Sequence, residues 1–108
     1  MKYCIYCKDV PTYQAANLCR RCYDRQRKWR DRGIDMTTER YLSMLESQNG
    51  TCLFCERKPK PHRFLDVDHD HITGKVRGLL CSEHNRAIGV IEKHKNLLPE
   101  IVKYIENG

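Results

Sequence analysis

With 108 residues, a formal net charge of +6, seven cysteines and a mean hydropathy of -0.74, the chain has material for one small domain whose core needs staples. No apolar run nears the roughly 18 residues of a membrane span, and the opening MKYCIYC lacks the apolar stretch of a signal peptide, so a cytoplasmic protein is expected. An odd number of cysteines in Cys-x-x-Cys pairs, in that compartment, argues against a disulfide framework and for zinc.

Residues 1–34 read as an N-terminal module. Cys4 and Cys7, then Cys19 and Cys22, form two zinc knuckles around a loop containing Pro11, with the spacing of one Cys4 zinc site. A redox dithiol would need a βαβ context that is absent. Arg20 to Arg32, RRCYDRQRKWRDR, reads as a helix ending at Gly33. Tyr23 and Trp29 fall on different faces of it, so at least one packs inward. Its charge is nearly one-signed, with seven Arg or Lys residues against Asp24 and Asp31. Beside a zinc module this reads as a surface that tracks DNA phosphates through Arg20, Arg21, Arg25, Arg27, Lys28 and Arg30. The plainer reading is a solvated charged face.

Residues 35–108 read as the main domain. Thr37 or Thr38 caps a helix in which Tyr41, Leu42 and Leu45 form the buried stripe, Met44 borders it and Asn49-Gly50 ends it. The chain then reaches Cys52 and Cys55, the first half of a second zinc set completed by Cys81 and His84 with the same two-residue gap. His62, in the basic loop from Arg57 to Arg63, is the alternative to His84. Seven bound thiolates and two zinc ions lower the formal +6 to about +3 in the loaded protein.

Phe64 to Asn85, FLDVDHDHITGKVRGLLCSEHN, concentrates the chemistry. Phe64 to Ile72 is extended, Thr73-Gly74-Lys75 is a turn, Val76 to Leu80 is a second strand, and from Ser82 the positions Ala87, Ile88 and Ile91 recur at helical spacing. Such a strand, turn, strand, helix unit can aim Asp68, His69 and Asn85 at one point. Neighbours on a straight strand face opposite ways, so a bend or bulge is required near His69. A third structural metal site and a merely polar hairpin are competing readings. The helix continues to His94, an exposed residue without a catalytic part, and breaks at Asn96 to Pro99. Ile101, Val102, Tyr104 and Ile105 then form a closing helix over the core.

Asp-His-Asp-His, followed by Gly-Lys-Val-Arg-Gly-Leu-Leu-Cys and Asn85, resembles the recombination endonuclease VII group of phage HNH nucleases from about Tyr41 to Ala87. The resemblance implies a small α+β zinc-stabilised fold with a ββα-metal (HNH, His-Me finger) motif and flanking helices. It implies a phage-encoded, metal-dependent endonuclease that hydrolyses DNA, leaving 5'-phosphate and 3'-hydroxyl ends. Asp68 and Asn85 would hold Mg2+ or Mn2+, His69 would be the general base, His71 would assist at the phosphate or leaving group, and Arg77 would contact phosphate. Two residues depart from the family: His84 stands where its best-known members have a fourth cysteine, and Ile88 where the junction-resolving member has an acidic residue. Only 23 residues follow Asn85, so both a monomer and a homodimer are open. A noncatalytic zinc module that binds nucleic acid is the rival from another class.

Overall fold

The computed structural model describes residues 2–13, 17–60 and 63–108. Among them the order is helix α1 (Arg20–Asp31), helix α2 (Thr38–Ser47), strand β1 (Asp66–His69), strand β2 (Val76–Leu80), helix α3 (Ser82–Lys93), a 3-10 turn (Lys95–Leu97) and helix α4 (Leu98–Asn107). The result is a small α+β fold with one two-stranded antiparallel sheet. No helix is long and apolar enough to cross a membrane.

The helix ends follow from local chemistry. Gly33 sits at φ +73, its N–H donates to Arg30 O, and the Ile34 N–H donates to Trp29 O, a Schellman closure of α1. Asn49 and Gly50 repeat it at the end of α2, with Gly50 N donating to Leu45 O at 2.8 Å. Of the two candidate caps, Thr37 acts, its Oγ1 accepting from Arg40 N. Pro99 lies in the first turn of α4, where its missing N–H costs nothing, so the break expected at Asn96 to Pro99 is a change of helix.

Two cores form. The first contains Cys4, Leu18, Cys19 and Cys22, so metal-ligand candidates make up most of it. The larger joins Trp29 and Ile34 with Tyr41, Leu65, Leu79 and Leu80, and Tyr6 and Phe64 pack against both. Trp29 is therefore the inward aromatic of α1, while Tyr23 is exposed. Tyr41 is fully buried, whereas Leu42 and Leu45 are only partly so. Its phenol accepts from Leu65 N at 2.8 Å and donates to Leu65 O at 3.2 Å, which fixes the chain just before β1. Tyr41→Phe keeps the packing but leaves both Leu65 groups unpaired; an unfolding titration should show a loss of about 1–3 kcal/mol.

β2 spans the expected Val76 to Leu80, whereas β1 is shorter than the Phe64 to Ile72 that the sequence suggests. Pairing begins at Asp66 and stops at His69, because Asp70 already belongs to the turn. Its Oδ1 accepts from Ile72 N and Thr73 N, and these N–H groups hold its carboxyl below the usual range. The expected closing helix does not close anything. No residue of α4 is buried, and Tyr104 and Ile105 are 81% and 69% exposed.

Candidate functional site

The two ligand sets meet in space. In each, one ligand atom per residue lies within 4.8 Å of every other: Cys4, Cys7, Cys19 and Cys22 in one, Cys52, Cys55, Cys81 and His84 in the other. Zinc–sulfur bonds of about 2.3 Å require tetrahedral edges near 3.8 Å. Cys7 Sγ lies 3.8 Å from Cys19 Sγ and 3.7 Å from Cys22 Sγ, and Cys55 Sγ lies 3.8 Å from Cys81 Sγ. His84 offers Nδ1, 3.2 Å from Cys81 Sγ. The alternative ligand His62 lies outside the described residues.

A shared turn shapes both clusters. Lys8 and Glu56, each four residues after the first cysteine of a pair, adopt positive φ and donate their N–H to the carbonyl of Cys4 or Cys52. Burial favours the neutral thiols. N–H groups of Cys7, Cys19 and Tyr6 nevertheless bring Cys4 down to about 7, while burial raises Cys7 to about 11. Against the same burial, N–H groups of Cys81, Cys55 and Phe54 bring Cys52 to about 6. Each set favours one thiolate and resists further ones, a conflict that a dication resolves.

Cys81 is also the N-cap of α3, so the second cluster fixes the start of the helix that carries Asn85. The hairpin shows the irregularity required near His69. Asp68 pairs with Gly78 but His69 pairs with Val76, leaving Arg77 as the extra residue of a bulge on β2. His69 and Asn85 line one open cavity of about 480 Å3, with Asp66 beside them. His69 Nδ1 lies 3.4 Å from Val67 O; a carbonyl only accepts, so this contact favours the tautomer with the proton on Nδ1 and the lone pair on Nε2. The His71 ring lies 4.8 Å from that of His69, on the exposed side.

Asp66 was missed by sequence reading, although residues two apart on a strand share a face and Asp66 precedes Asp68 by two. Asn85 Nδ2 donates to Asp66 Oδ2 at 3.4 Å, and burial raises the Asp66 carboxyl above its usual range. Asp68 is held elsewhere, in a second cavity with Ile88 and Glu92. Arg77 Nε and Nη2 donate to its two oxygens at 2.8 and 3.0 Å, and the same guanidinium donates to both oxygens of Glu92. Glu92, also missed, is the acidic group on the α3 face that carries Ile88.

Asp68 and Asn85 thus line different cavities, and the expected convergence of Asp68 with His69 and Asn85 on one point is not seen, although each of the two keeps an oxygen of the kind a hard cation takes. Arg77 uses one lone pair on each Asp68 oxygen and leaves another, and the Asn85 amide turns its N–H toward Asp66, freeing its carbonyl oxygen. If Glu92 steadies Arg77, Glu92→Gln should weaken Mn2+ binding severalfold in a calorimetric titration, with circular dichroism unchanged.

Two expected phosphate contacts need correction. Arg77 has all three nitrogens engaged by carboxylates and is not free for DNA. Arg25 turns inward: its guanidinium lies 3.3 Å from the Phe64 ring centroid, 4.6 Å from Tyr41, 4.7 Å from Trp29 and 5.0 Å from Tyr6, and its nitrogens are sealed from solvent without a hydrogen-bond acceptor. Burial lowers its pKa. Arg20 and Arg27 reach Asp24, Arg30 reaches Asp31, and these three, Arg21 and Lys28 remain on the surface of α1.

A hairpin and helix joined by four residues able to hold a metal ion, with a histidine and an asparagine on one cavity, define the class to which comparison leads. Residues 24–107 match the recombination endonuclease VII family, and the chain belongs to it. The matched range includes the second ligand cluster and begins after the first.

Two relatives from phages share the name gene 59 protein. That of Mycobacterium phage D29 is 47% identical over 53 residues, covering 49% of this chain and 32% of the relative. That of Mycobacterium phage L5 is 45% identical over 51 residues, covering 47% and 31%. The match thus spans about a third of each relative's length.

Proposed function

We propose that the protein is a phage-encoded HNH-type endonuclease that hydrolyses DNA phosphodiester bonds in the host cytoplasm, with β1, β2 and α3 as its ββα-metal motif. The observation that carries this reading is the shared cavity of His69 and Asn85, with His69 Nδ1 facing a carbonyl. Membership of a family described as recombination endonuclease VII supports it. Residues 1–34 serve as a zinc module whose helix α1 also packs into the main core, and both clusters hold structural zinc.

His69 Nε2 takes the proton of the attacking water. Asp68 and Asn85 would hold Mg2+ or Mn2+ through oxygen, and the cation when bound would stabilise charge on the phosphate. Asp66 keeps the Asn85 amide turned, and His71 positions phosphate or assists the leaving oxygen, giving 5'-phosphate and 3'-hydroxyl ends. The protein works as a monomer or a homodimer, and the exposed apolar residues of α4 favour self-association.

A noncatalytic zinc module that binds nucleic acid is favoured by one observation, the double clasp of Arg77 on Asp68. End-labelled linear duplex and a four-way junction, incubated with Mg2+ or Mn2+, separate the readings. The enzyme turns substrate over, a junction resolvase prefers the junction by a large factor, and a binding module retards DNA in a gel without product.

A further inference from the structure

The cavity that holds His69 and Asn85 has a second wall, built by α1 and by the chain leading into β1. Arg21 comes from α1, Arg32 from the C-cap that ends it, and Arg63 from the segment before β1. Arg21, Arg25 and Arg32 are spaced four and seven residues apart, so they fall on one stripe of the helix. Tyr6 Oη donates to Arg63 O at 2.9 Å, so the N-terminal module itself holds Arg63 at this wall.

Most of the other arginines are already paired, and Arg86, which like these three has no carboxylate within 4.0 Å among the described residues, does not line this cavity. Arg20, Arg27 and Arg30 have a carboxylate within 4.0 Å, as do Arg40, Arg57 and Arg77. Among the described residues, Arg21, Arg32 and Arg63 have none, and all three are exposed. Behind them Arg25 adds an unneutralised charge whose nitrogens find no acceptor. Among the described residues Asp66 is the single carboxylate on the cavity. Several like charges facing one opening repel each other unless an anion joins them, and a row of phosphodiesters offers guanidinium groups charge-assisted hydrogen bonds.

We propose that Arg21, Arg32 and Arg63 hold the DNA phosphates next to the scissile one, so that the N-terminal module and α1 form half of the cleavage site. This rests on the endonuclease reading. From Arg21 to Arg32 the stripe is about 16 Å long, enough to face several successive phosphates of one strand. Contacts to flanking phosphates are the same before and during bond breaking, so they govern substrate binding more than the chemical step.

The test measures binding of a labelled duplex at several salt concentrations, with Arg21, Arg32 and Arg63 all changed to Gln in a His69→Ala background. A control carries Lys93, Lys95 and Lys103 changed to Gln, which removes the same charge elsewhere. Zinc content and circular dichroism are checked for both, and single variants Arg32→Gln and Arg63→Gln serve if the triple does not fold.

If Arg21, Arg32 and Arg63 form this arc of phosphate contacts, the log–log salt slope becomes shallower by roughly 2–3 in the triple, or by about 0.9 in each single variant, with little change in the control. Equal changes in arc and control, or no change in either, overturn the proposal. Because binding is read without cleavage, this result stands whether or not the wild type proves to be a nuclease. In an active background the same triple should raise KM about tenfold and leave kcat nearly unchanged; a loss confined to kcat would also overturn it.

Discussion

Removing zinc is expected to unfold this protein. The cysteines that would hold the ion are the core of the N-terminal module, where Cys4, Cys19 and Cys22 leave Leu18 as the other buried apolar side chain of the cluster. In the main domain Cys52 and Cys81 belong to the central core, and Cys81 caps α3. Structural zinc in small domains contributes on the order of 10 kcal/mol or more of apparent binding energy. A whole domain is stable by only about 5–15 kcal/mol, so neither cluster is dispensable. A strong chelator at neutral pH should release two equivalents of zinc together with most of the helical circular dichroism. Cys52→Ser should be the most damaging single exchange, since it frees the loop after α2 from α3. Zinc-free protein with an unchanged spectrum would contradict the assignment.

His69→Ala is expected to lower cleavage by about 10^2 to 10^4 while leaving the fold intact. The side chain is only partly buried and makes one weak local contact, to Val67 O. The pairing of β1 with β2 uses backbone groups, which alanine keeps. The imidazole of His71, 4.8 Å away, is exposed and no carbonyl fixes its tautomer, so it should not take over the proton. A folded His69→Ala protein that cleaves at the wild-type rate would remove His69 from the mechanism.

The parts of the structure that could be read from the sequence are those set by local rules. Gly33 and Asn49-Gly50 end their helices as their preference for positive φ dictates. The repeated two-residue gap brings both ligand sets together, and the bulge expected near His69, so that Asp68 and His69 could share a site, is present, although the two still line different cavities.

What was not legible depends on tertiary partners. Nothing local distinguishes Arg25 from Arg21 or Arg27, yet aromatic rings drawn from four different parts of the chain take it inward. Arg77 and Glu92 meet only because β2 and α3 pack side by side, and their pairing with Asp68 changes what Asp68 can do. The apolar residues of α4 suggested a covering helix. Periodicity reveals an apolar face but not the surface it meets, and the described chain brings no core to it.

The most direct measurement is the conversion of supercoiled plasmid by zinc-loaded protein with Mg2+ or Mn2+, run beside Asn85→Ala protein of equal zinc content. Nicked or linear product that appears with wild type, requires the cation and is lost with Asn85→Ala is the predicted result. Intact plasmid after incubation with folded, zinc-loaded wild type, together with an uncut four-way junction, would contradict the nuclease and leave a protein that only binds DNA.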